Sequence, residues 1–124
     1  MSKIVQAVNA MISKPENITT VIKANDEFFF LYLDKYKWSM RRRDDQHLLW
    51  FYPGSEPIEQ LVARADCGEW EGVDMVTYND KDIGTKEAQA SFSELYTLLK
   101  ERVFGVNKVL DDIIADSDLG SLPF

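Results

Sequence analysis

Between residues 18 and 52 four strand-like stretches are separated by polar connections of two to five residues, and this spacing restricts the fold more than any other feature of the chain. Connections that short are the ones hairpins use, whereas parallel neighbours need a crossover of about a dozen residues or more. Sequential antiparallel pairing is therefore the expected topology. Ile18 to Lys23 is rich in Thr, Val and Ile and is followed by the turn pair Asn25-Asp26. Glu27 to Leu33 is apolar at six consecutive positions, so both of its faces need cover and it belongs inside the sheet. After Asp34-Lys35 the residues alternate, with Tyr36, Trp38 and Met40 on one face and Lys37, Ser39, Arg41 and Arg43 on the other. That alternation predicts one face against the core and one against solvent. Asp44-Asp45-Gln46 forms the next turn, and His47 to Tyr52 resumes the strand pattern until Pro53-Gly54.

The flanking segments read as helices that cover this meander. Ile4, Val8, Met11 and Ile12 make one apolar stripe on a short helix over residues 3 to 13, which Pro15 ends. Ser55-Glu56-Pro57 is a helix-start signal with a capping hydroxyl, and Ile58, Leu61, Val62 and Ala65 keep helical spacing. A strand over Gln60 to Asp66 competes with that helix, but the adjacent pair Leu61-Val62 breaks strict alternation. Asp66 to Gly72 reads as an acidic loop, Val73 to Tyr78 as a fifth short strand, and Asn79 to Gly84 as its closing turn.

Thr85 is placed to cap the last element, whose seam Phe92, Tyr96, Leu99, Val103, Val106, Leu110 and Ile113 keeps alternating steps of four and three. A continuous helix from Lys86 to Asp116 would be about 45 Å long at about 1.5 Å per residue, longer than a compact chain of this size needs. Gly105 is the natural break, with Asn107 able to cap a second helix, while the unbroken phase across Gly105 favours continuity. Both readings stand at this point. Packing of the seam on the sheet competes with exposure of Val106, Leu110 and Ile113 as a helix interface with a second subunit. The expected architecture is one α+β domain over residues 1–116. It consists of an antiparallel meander of four to five strands, covered on one face by a short N-terminal helix and a long or broken C-terminal helix. A mobile tail is expected over 117–124.

Composition bounds what such a chain does. At 124 residues and 45% hydrophobic content the chain buries a core without a metal or disulfide, which excludes whole-chain disorder. The net charge of −7 disfavours nucleic acid and anionic membranes on average. It is unevenly spread: residues 1–64 carry nine basic and eight acidic side chains, residues 65–124 five and thirteen. Cys67 is the only cysteine, so a disulfide framework within the chain is excluded and a reducing compartment fits. The longest wholly apolar run, Phe28 to Leu33, is far short of a membrane span, and the N-terminus lacks a signal-peptide pattern, so a cytoplasmic location is expected.

Few residues suggest chemistry. Lys35, Lys37, Arg41, Arg42 and Arg43 cluster on one hairpin, and the outward set Lys37, Arg41 and Arg43 would form a basic and aromatic surface if Phe51 shares its sheet face. A solvated face with its arginines paired to nearby acids explains the same pattern. His47 is the sole histidine and reads as a surface residue at a strand start, since no nucleophile or carboxylate is brought to it by local spacing. Cys67 stands among Asp66, Glu69 and Glu71, which is not the electropositive setting of reactive thiols. Asp80-Lys81-Asp82-Ile83-Gly84 resembles the start of a calcium loop, but Ser91 occupies the twelfth position, where a glutamate is required. Asp111, Asp112 and Asp116 read as a solvated helix face. No phosphate loop, nucleophile elbow or dinucleotide fingerprint occurs, so no catalytic residue, metal or cofactor is expected.

The functional expectation is a non-catalytic acidic module that binds another protein, in the manner of inhibitors, immunity proteins or secretion chaperones. It rests on size, charge and layout, with no residue motif behind it. Its partner is another protein or a second copy of the chain, and no membrane is expected. The alternative is a binder of nucleic acid or another anionic ligand through Lys37, Arg41, Arg43 and Phe51.

Overall fold

A computed structural model describes residues 2–120, with side chains described through Asp116. Five strands form one sheet in the order β1-β2-β3-β4-β5, every neighbouring pair antiparallel. They are β1 (Ile18–Ala24), β2 (Glu27–Tyr32), β3 (Tyr36–Arg43), β4 (Gln46–Tyr52) and β5 (Val76–Asn79). The tight turns between them use residues that tolerate a left-handed backbone, Asn25, Asp34 and Asp44 among them. The fold is thus α+β with the meander that the short connections imply.

One face of the sheet is covered by α1 (Lys3–Ser13) and α4 (Lys86–Phe104). Val8, Met11, Phe28, Phe30, Met40, Leu49, Phe92, Leu95 and Leu99 form the core there. Ser2 caps α1, and Thr85 accepts a hydrogen bond from the Ala88 amide at the start of α4. Ser91 Oγ donates to Asn9 Oδ1 at 2.6 Å and joins the two helices, while Arg102 donates to the carbonyls of Ile18 and Pro15. The buried stripe of α4 is Ala88, Ser91, Phe92, Leu95 and Leu99, and the half-buried Tyr96 also packs on the sheet, its ring 5.4 Å from that of Phe28.

The opposite face is not open to solvent, contrary to the alternation of β3. Helix α2 (Ile58–Cys67) lies on it, and Ile58 and Leu61 bury Ala24, Phe29 and Tyr52, with Trp50, Trp70, Val73 and Met75 packed around them. Ser39, expected outside, is completely buried. The physical reason is remote cover: a helix and a loop from later in the chain fill the face that local alternation assigns to water. Residues 58–67 are helical, as their spacing favours, but the N-cap position is Pro57 and no side chain caps it, so Ser55 does not play that role.

Two further departures concern the second half. Strand β5 begins at Val76 rather than Val73, because Val73 and Met75 pack against the α2-side core before the chain joins β4. The closing turn is one helical turn, α3 (Asp80–Ile83), capped by the Asn79 side chain. At Gly105 the backbone takes φ +64°, which ends α4, and α5 (Val106–Gly120) starts at once, so the cap expected from Asn107 is not used. The expected tail begins inside α5, whose backbone reaches Gly120; residues 121–124 lie outside the described residues.

Candidate functional site

Of the basic residues that share one face of β3, Lys37 and Arg41 are engaged within the chain. Lys37 Nζ donates to the carbonyls of Gly54 and Glu56 and so ties β3 to the loop before α2. Arg41 Nε pairs with Asp26 at 3.1 Å. Arg43 is exposed at the end of the strand. Phe51 lies on the other face, since the register places it opposite Trp38, and their ring centroids are 4.9 Å apart. Residues directly opposite in a ladder share a face, and that rule separates Phe51 from Lys37, Arg41 and Arg43. The aromatic residues on the arginine side are Phe29, Trp50, Tyr52 and Trp70 instead.

His47 is buried rather than a surface residue. Its backbone amide donates to Asp80 Oδ1 and its Nδ1 lies 2.9 Å from Asp80 Oδ2, with the Tyr96 ring packed beside the imidazole. Asp80 is itself buried, so the pair fastens α3 onto the start of β4. The partner is 33 residues away in sequence, which is why local spacing does not show it. Cys67 is exposed as the last residue of α2, its Sγ against the Ala63 carbonyl, and not within the loop. Among the described residues no three His, Cys, Asp or Glu side chains come together as a metal-binding group. Among the same residues no helix is long and apolar enough to cross a membrane.

Two surfaces among the described residues stand out. The first is a cleft of about 240 Å³ on the α2 side, lined by Glu27, Arg41, Trp50, Tyr52, Trp70 and Met75. Ser39 Oγ donates to Glu27 Oε2 at 2.5 Å and lies 2.7 Å from the Tyr52 hydroxyl. Because the single Ser39 proton goes to Glu27, the second contact is a Tyr52 donation to Ser39. Burial pushes the Glu27 carboxyl above its ordinary value of 4.5, against the opposing influence of the Ser39 hydrogen bond and the Arg41 charge. Burial likewise pushes the Tyr52 phenol well above its usual range. Tyr52 and Trp70 stack with centroids 5.9 Å apart, both against Phe29. Trp70 is held in place by a built loop: Gly68 and Gly72 flank it in the left-handed region, and Arg64 Nη1 donates to the carbonyls of Glu69 and Glu71. Sequence spacing did not reveal this site, since its members come from three strands and a loop; the one local signal was a serine among outward basic residues.

The second surface is α5. At 100° per residue Val106, Val109, Leu110, Ile113 and Ile114 fall on one side of the helix, with Asn107, Lys108, Asp111, Asp112 and Asp116 on the other. Val109, Leu110, Ile113 and Ile114 are each about half exposed or more, at 52%, 48%, 59% and 58%. Val106 is half-buried next to the elbow, so the interface trio Val106, Leu110 and Ile113 lies on one stripe. Phe104, the last residue of α4, is 55% exposed, with the Lys23 ammonium over its ring at 5.4 Å. The elbow at Gly105 explains the exposure. It turns α5 off the line of α4, so the second half of the seam does not reach the sheet. No protein-family model matches the chain, and comparison with curated proteins and with solved structures gives no match.

Proposed function

We propose that the chain is a non-catalytic acidic module that binds another protein through α5. The observation that supports this reading is the apolar stripe Val106, Val109, Leu110, Ile113 and Ile114, carried on a helix that the rest of the fold leaves uncovered. A contiguous apolar stripe with a polar rim is the usual mark of an interaction surface. Charge specifies the partner. The described polar side of α5 carries Asp111, Asp112 and Asp116 against Lys108 alone. Two copies of this helix side by side would bring like charges together, whereas an apolar groove with a basic rim is complementary to it. The occupant is therefore a different protein with such a groove. A reducing, cytoplasmic setting suits the single exposed cysteine.

The test compares the parent with the double variant Leu110→Asp, Ile113→Asp. Both positions are exposed, so the variant keeps its fold and its circular dichroism. Support requires a protein that binds the parent in fixed stoichiometry, is lost from the variant, and binds more weakly as salt rises. A parent that captures nothing the variant does not also capture contradicts the reading. A parent that is a dimer by light scattering and a monomer after the double substitution replaces the basic partner with a second copy.

A further inference from the structure

Glu27 and Arg41 stand directly opposite each other across the β2–β3 ladder and line the same cleft, yet no ion pair joins them among the described residues. Their other partners explain why. Ser39 lies two positions from Arg41 on the same face of β3, and its hydroxyl holds Glu27 Oε2 toward the middle of the sheet at 2.5 Å. Asp26 lies on the other side, in the β1–β2 turn, and holds Arg41 Nε toward that turn at 3.1 Å. The two side chains are therefore splayed. The Tyr52 proton goes to Ser39, so among the described residues nothing donates to Glu27 Oε1, and the Arg41 Nη groups donate to nothing. The cleft thus offers an acceptor and a set of donors side by side, with one charge of each sign.

Such a pair selects against a charged ligand. A cation that approaches Glu27 meets the Arg41 guanidinium, and an anion that approaches Arg41 meets the Glu27 carboxylate. An uncharged group with an N–H beside an acceptor satisfies both at once, since its N–H donates to Glu27 and its acceptor receives from Arg41. The rest of the lining, Trp50, Tyr52, Trp70 and Met75, is ring and thioether surface. Trp70 is fixed by stacking on Tyr52 and Phe29, at centroid distances of 5.9 and 6.3 Å. Surfaces of that kind favour a flat, apolar body behind the polar edge. The volume, about 240 Å³, holds a small ring system and is below the range of drug-sized ligand pockets.

We propose that this cleft binds a small uncharged heteroaromatic ring whose edge carries an N–H donor beside an acceptor, as the edge of a lactam or a nucleobase does. Glu27 Oε1 receives the N–H, the Arg41 Nη groups reach the acceptor, and Trp50, Trp70 and Met75 cover the ring. The ligand is a free small molecule, because the net charge of −7 disfavours a polynucleotide carrying the same bases. The site is separate from the α5 stripe and does not depend on it.

The full chain is titrated with 2-pyridone, which has this edge, and with relatives of similar size that do not. These are N-methyl-2-pyridone, which lacks the donor, benzamidine, a cation, and benzoate, an anion. Binding is followed by tryptophan fluorescence and by the indole N–H signals of Trp50 and Trp70, with Trp38 on the other sheet face as internal control. The expected result is saturable binding of 2-pyridone that moves the Trp50 and Trp70 signals and leaves Trp38 in place. Each relative should bind about tenfold more weakly or worse. Glu27→Gln should weaken 2-pyridone by about fivefold or more and leave N-methyl-2-pyridone unchanged, since that molecule has no proton for Glu27. Arg41→Met should weaken both, because both keep the carbonyl. The proposal is overturned if 2-pyridone gives no saturable change, if N-methyl-2-pyridone binds as tightly, or if benzamidine or benzoate binds more tightly. Should Glu27→Gln fail to fold, Arg41→Met decides at a partly exposed position: unchanged binding of 2-pyridone overturns the proposal equally.

Discussion

Asp80 holds His47 by two hydrogen bonds, one from the backbone amide to Oδ1 and one from Nδ1 to Oδ2, each 2.9 Å long and both buried. One carboxylate thereby satisfies the polar groups at the start of β4 and fixes the first turn of α3 against the sheet. Removing it leaves two buried donors without acceptors, each costing about 1–3 kcal/mol. Asp80→Ala should therefore lower the unfolding free energy by about 2–6 kcal/mol. Asp80→Asn, which keeps an acceptor for the His47 amide, should lose less. Urea unfolding of the two variants measures the difference, and equal losses would show that the hydrogen bond to the amide contributes little.

The raised proton affinity of Glu27 has a definite sign in the pH dependence of stability. The folded carboxyl holds its proton more tightly than the unfolded one, whose value is near 4.5. Its stabilising contribution is fully present below that value and is lost as pH rises through the higher folded value. Stability of the parent should accordingly fall relative to Glu27→Gln as pH rises from about 4 toward neutrality. Chemical unfolding at a series of pH values checks this. Parallel profiles for the two proteins would show that Glu27 does not titrate differently on folding.

Cover on both sheet faces makes a second prediction about stability. Phe29 and Phe92 are both fully buried, one beneath α2 and one on α4. Each change to alanine should cost about 3–5 kcal/mol. A sheet covered on one face alone would make Phe29→Ala mild, so matched unfolding curves for the two variants distinguish the architectures.

Gly105 sets the elbow between α4 and α5. A Cβ at this position meets nothing within 4 Å, so the cost of Gly105→Ala is the left-handed backbone alone. It should be about 1 kcal/mol, with helix content unchanged by circular dichroism. Helix content and stability rising together would instead mean that α4 and α5 merge into one straight helix.

The meander was legible because its cues are local. Turn pairs such as Asn25-Asp26 and the apolar run from Phe28 to Leu33 act within a few residues, and the strands form where those cues place them. Burial of Ser39 was not legible, since Leu61 and Trp70 come from elements that return over β3 only after the chain has left the sheet. The same distance hid the Asp80 partner of His47. Phe51 shows a different failure: its face follows from the β3–β4 register, and one residue of shift reverses every side chain. At Gly105 the seam kept its phase, but the left-handed glycine overrode periodicity, and the apolar residues expected either on the sheet or at a helix interface stand exposed.

Amide hydrogen exchange tests the interaction reading most directly, on the free chain and on its complex with the stoichiometric partner. Helix α5 has little cover of its own, so in the free chain the amides of 106–116 should exchange far faster than those of α4. In the complex those same amides should become protected. Protection confined to other elements, with 106–116 exchanging as fast as before, would contradict α5 as the interface.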